Sequence, residues 1–178
     1  MADEQFDLNS VAHLAVGAVG RPGQRTFYLQ ASDKERTLTV KLEKEQVMGL
    51  SRAIEMLFEE LANRELSHGP ADGELSAMAE LEEPLDPIFT VATVQLGHDT
   101  VRNLLVLILQ GRAAEESEER VVELRLWLSP AQMRALSRQG REVAGKGRPI
   151  CPLCQRPMDP DGHLCPRGNG HSKKVIED

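Results

Sequence analysis

One pattern limits this chain more than any other: strand, strand, strand and helix signals occur twice in the same order. Leu38, Val40 and Leu42 alternate with polar residues, and so do Val122, Leu124, Leu126 and Leu128. That is the period of a half-buried strand. Each strand runs into a helix signal. Val47, Leu50, Ile54, Leu57, Phe58 and Leu61 mark one face of a helix over roughly 44–66. In the second copy Ser129 is a good N-cap and Pro130 suits the first helical position. Met133 and Leu136 begin its apolar face, and Gly145 and Gly147 end it.

The two joints align at one offset. Leu42, Gln46, Leu50, Ser51 and Arg52 match Leu128, Gln132, Leu136, Ser137 and Arg138, each pair 86 positions apart. Upstream, Phe27, Leu29 and Gln30 match Leu107, Leu109 and Gln110 at an offset of 80. The second copy has six more residues in its last hairpin, which holds the acidic run Glu115, Glu116, Glu118 and Glu119. That run reads as a solvated hairpin tip.

A three-stranded meander with one helix covers one sheet face only. Two such units must pack face to face or join in one sheet. The expected fold is therefore α+β. Two tandem strand–strand–strand–helix units, 1–66 and 88–147, form an intramolecular pseudo-dimer. Residues 67–87, with Pro70, Gly73, Pro84, Pro87 and several acids, read as a linker between them.

Residues 148–178 read as a separate module. Cys151 and Cys154 form a C-x-x-C among prolines, and Cys165 follows His163 two positions on. Three thiolates and an imidazole are a standard set for structural Zn²⁺. Spacing alone leaves the fourth ligand open between His163 and His171. All three cysteines of the chain lie in this stretch. An odd, clustered set suits metal binding in a reducing cytoplasm better than a disulfide framework. A redox C-x-x-C would start a helix after a strand, and that context is missing here.

The body offers one further candidate. Arg21, Gln24 and Arg25 surround a Pro22-Gly23 turn, where guanidinium groups beside backbone amides can hold a phosphate or carboxylate. The plain alternative is a hairpin turn whose geometry Pro and Gly supply. His13 reads as a packed or edge residue, and no catalytic residue is assigned. No phosphate-binding glycine motif is present.

Charge narrows the partners. The chain carries a net charge of −7, which disfavours broad binding to nucleic acid or anionic membrane. Residues 146–174 differ, with six cations against two acids. The longest apolar run, Leu104 to Leu109, is far short of the ~20 residues of a spanning helix. The acidic start has the wrong polarity for a secretory signal.

The string from Val19 to Gln30 (VGRPGQRTFYLQ) and the closing CPLC and DPDGHLCPR motifs resemble the DUF3090 family, found mainly in actinobacteria and without established activity. The resemblance covers nearly the whole chain. It implies that Cys151, Cys154, His163 and Cys165 form a shared pattern, and so favours His163 over His171. The expectation is a zinc-binding, non-catalytic cytoplasmic adaptor or regulatory protein whose partner is another protein. A protein acting on a phosphorylated small molecule, and nucleic-acid binding through the basic C-terminal module, are the alternatives.

Overall fold

The computed structural model describes residues 4–63, 79–113, 120–147, 150–156, 158, 163 and 165–167. The chain runs β1 (Glu4–Leu8), β2 (His13–Val19), β3 (Thr26–Ser32), β4 (Thr37–Leu42), α1 (Lys44–Asn63), β5 (Pro87–Asp99), β6 (Leu104–Ala113), β7 (Val121–Leu128) and α2 (Pro130–Gly145). The fold is mixed α+β, one seven-stranded sheet with two helices. The strand order is β1-β7-β6-β5-β4-β3-β2. The two meanders are antiparallel within themselves. They join through a parallel pairing of β4 with β5, so both lie in one continuous sheet.

β1 is the strand that periodicity does not announce. Its sequence, EQFDL, is short and half polar, yet Glu4 to Leu8 pair in parallel with Val122 to Leu126 of β7. The consequence is geometric. β1 and β2 lie at opposite ends of the strand order, but only residues 9–12 separate them. A flat sheet would hold its outermost strands about 29 Å apart at ~4.8 Å per neighbour. The short connection spans at most about 18 Å even when fully extended. The sheet must therefore coil back on itself. Arg36, in the β3–β4 hairpin, donates from Nη2 to the Asp7 carbonyl at 2.9 Å and lies over the Phe6 ring.

Alternation decides what fills the interior. Along β6, Leu105, Leu107 and Leu109 are fully buried, as are Leu124, Leu126 and Leu128 on β7. Leu29, Val40 and Leu42 do the same on the first meander. With Val47, Ile54, Met133 and Leu136 from the helices they form one aliphatic core. Few aromatics are needed, in keeping with their 3% share of the chain.

The helices cross where side chains are small. Ser137 donates its Oγ to the Ser51 carbonyl at 3.0 Å, and Ser51 Oγ donates to the Val47 carbonyl one turn back in α1 at 3.0 Å. These two serines are the pair 86 positions apart. A Cβ on Gly140 would stand 2.5 Å from Ser51 Oγ, so this position must stay bare.

Two glutamines, also 86 apart, do matching work. Gln46 accepts from the Glu43 amide at 2.8 Å and donates to the Val91 carbonyl at 2.9 Å. Gln132 accepts from the Ser129 amide at 2.9 Å and donates to the Val11 carbonyl at 2.7 Å. Ser129 completes a capping box, as its N-cap signal requires.

The expected linker is not loose where it is described. Gln30 brackets Glu82, donating to its carbonyl at 2.9 Å and accepting from its amide at 2.8 Å. Gln139 donates to the Ala79 carbonyl at 2.7 Å. Leu81 lies over Gly17, where any side chain would collide with it. Residues 64–78 and the acidic hairpin tip 114–119 lie outside the described residues.

Two outcomes are expected. Gly140→Ala lowers stability by about 1–2 kcal/mol in urea unfolding, despite the ~1 kcal/mol that Ala gains over Gly within a helix. Adding Ser51→Ala recovers part of that loss, so the two changes are non-additive. Gln132→Ala leaves the Val11 carbonyl and the Ser129 amide without their partner, at a cost of about 1–3 kcal/mol in the same experiment.

Candidate metal centre

The metal site is built by two tight turns. In the first, the Gln155 amide donates to the Cys151 carbonyl at 2.8 Å, and the Cys151 amide donates to Arg156 at 2.9 Å. Gln155 takes a left-handed backbone at φ 59° to close the turn. That conformation is uncommon for a side chain other than Gly or Asn, and it turns the C-x-x-C loop back sharply. The second segment supplies His163 and Cys165. Arg167 ties it to the first turn by donating to the Leu153 carbonyl at 3.4 Å.

The result is a compact set of donors. Cys151 Sγ, Cys154 Sγ, His163 and Cys165 Sγ present one ligand atom each, all within 4.8 Å of one another. Cys151 and Cys165 sulfurs are 3.8 Å apart, and Cys154 Sγ stands 3.1 Å from His163 Nε2. Two thiolates bound at ~2.3 Å to one tetrahedral ion sit about 3.8 Å apart, so the thiolate spacing fits a shared ion. His163 offers Nε2. His171, the other histidine considered, lies outside the described residues.

The thiols are polarised unequally. The Cys151 thiol is held below its ordinary range, first by the Cys154 amide pointing at its sulfur. Burial pushes the Cys154 thiol up, against a backbone hydrogen bond from Arg156. A metal must displace the remaining protons, so binding weakens as pH falls. All three cysteines are free thiols, available as ligands.

The anion-site candidates separate in space. Arg21, Gln24 and Gly23 lie exposed on the β2–β3 turn, where the Gln24 amide donates to the Arg21 carbonyl at 2.9 Å. Gly20 and Gly23 take positive φ values of 111° and 92°, the turn geometry glycine supplies. Arg25 leaves this group. It is half-buried, donates from Nη1 to the Val143 carbonyl at 3.2 Å, and stacks on Phe27. His13 is half-buried on β2 and faces Glu82 at 3.7 Å. Lys44 is a neighbour of Arg25 that the sequence does not advertise, because only the fold brings the start of α1 beside β3 and residue 147.

Fold and site together define a mixed α+β protein with a C-terminal Cys₃His group that can hold a metal ion. The chain belongs to the DUF3090 family of proteins of unknown function, whose family model matches residues 6–165. The match ends on the last cysteine of the site. No curated protein and no solved structure was found to match the chain.

Cys165→Ser is expected to lower bound metal from about one ion per chain toward none, read by elemental analysis of the purified protein. Hydrogen exchange around residues 150–156 should speed up. Among the described residues the continuous hydrophobic core cluster ends at Ala144, so the unfolding midpoint of the body should stay close to that of the native chain.

Proposed function

We propose that this protein is a zinc-binding, non-catalytic adaptor or regulatory protein of the cytoplasm, and that its body is a duplicated unit arranged as an intramolecular pseudo-dimer. The observation that carries the functional reading is the Cys₃His group itself. Soft thiolates with one imidazole favour zinc. Four protein donors fill a tetrahedron and leave no open position for substrate, which supports a structural role. The segment is too short for a core of its own, so the ion supplies its folding energy.

A second feature supports the adaptor role. The turn that zinc rigidifies displays Ile150 and Leu153, 58% and 57% exposed. Ile150 also lines an open groove of about 390 Å³ between α1 and α2, beside Met48, Arg52 and Arg141. Single exposed apolar residues are ordinary, but two on one metal-fixed turn next to an open groove suit a protein partner. Duplication is supported by the paired glutamines at the same offset, which make the same kinds of bond.

The test is capture of partners by the native chain and by Ile150→Asp/Leu153→Asp, both with one zinc per chain. A partner held by the native chain, released by chelator and missed by the double variant is the expected result. Equal capture by both chains, or capture indifferent to chelator, would sink the adaptor reading.

A further inference from the structure

We propose that Arg25 and Lys44 form a binding site for the phosphate group of a small phosphorylated molecule. Both reach the same point from different elements. A Cβ built on Gly147 would stand 3.0 Å from Lys44 Nζ and 3.7 Å from Arg25 Nη2. Two cations so close repel one another, and among the described residues neither forms an ion pair with a carboxylate. A dianion between them removes the repulsion and takes charge-assisted hydrogen bonds from both.

The surroundings fit. The two side chains line a cavity of about 310 Å³ with Phe27, Gly147 and Ile150. That size lies at the lower end of ligand pockets, roughly 300–1,000 Å³. Arg25 is positioned before any ligand arrives. Its Nη1 is held by the Val143 carbonyl near the negative end of α2, which leaves Nη2 on the Gly147 side. Lys44 sits at the first position of α1, where a cation opposes the helix dipole. A residue that works against its own helix is explained when it serves a ligand. The same helix end adds positive potential toward an anion. Glu45 stands exposed on the rim of the same cavity and forms no ion pair with either cation among the described residues. Phe27 and Ile150 give the organic part of a phosphate ester an apolar wall. Gly147 keeps the space open, because a side chain there would meet Lys44.

This inference goes beyond the metal reading and does not rest on it. The test uses the full chain with one zinc bound, at constant ionic strength, and follows the unfolding midpoint with inorganic phosphate and with phenyl phosphate. Both should raise the midpoint saturably, phenyl phosphate at lower concentration. Lys44→Gln should weaken binding roughly ten-fold or more while leaving or raising the ligand-free midpoint. Lys34→Gln, on the exposed β3–β4 turn, should change neither. Metal content is measured in every variant, so loss of zinc is not mistaken for loss of the phosphate site. No saturable shift with either probe at millimolar concentration overturns the proposal. So does an equal loss in Lys34→Gln and Lys44→Gln, which would mean diffuse charge rather than a site.

Discussion

Two side-chain amides bind the halves of this molecule to each other. Gln46 and Gln132 each cap the helix they begin and then reach across to a backbone carbonyl of the other half. A buried backbone group without a partner costs as much as a lost hydrogen bond. Val91 stands at the register shift in β5, and Val11 lies just before β2 begins. One amide group, with a donor and an acceptor on the same planar end, serves two backbones at once. Shortening it by one carbon or giving it a charge would leave one of them unserved. The helix entry, the start of β5 and the approach to β2 are therefore fixed together.

The small residues at the helix crossing serve the same end. Ser51, Ser137 and Gly140 let α1 and α2 approach closely enough for a hydroxyl-to-carbonyl bond between them, from Ser137 to Ser51. That closeness sets where the glutamines stand over the sheet. Bulk at the crossing would thus be felt some distance away, at the strand starts.

Much of this was legible in the amino-acid sequence, for a physical reason. Strand alternation and helix periodicity are local, and so are the Ser129, Pro130 and Gln132 signals at the start of α2. The three cysteine donors are legible for the same reason, since they lie within fifteen positions, while spacing alone leaves His163 and His171 both open and the family resemblance points to His163. What escaped is what the fold brings together across distance. β1 carries too little apolar alternation to declare itself, and its partner lies more than a hundred residues away. Residues 79–86 read as a linker by composition, yet Gln30 and Gln139 fasten their backbone rather than their side chains. In the sequence Arg25 stands with Arg21 and Gln24 around one turn. In space it keeps company with Lys44 and Gly147 instead.

The coiled sheet has a consequence for how other molecules can meet it. A strand at the end of a sheet ordinarily offers a row of free amides and carbonyls, a ready template for a further strand. Here the two end strands are successive pieces of the chain, and side chains occupy groups on both. Arg36 takes the Asp7 carbonyl on one, and Gln139 takes the Val16 amide at 3.1 Å on the other. Association by strand addition is thereby discouraged, both with visiting peptides and with further copies of the protein. A visitor is left with the helices, the turns of the Cys₃His group and the groove between α1 and α2.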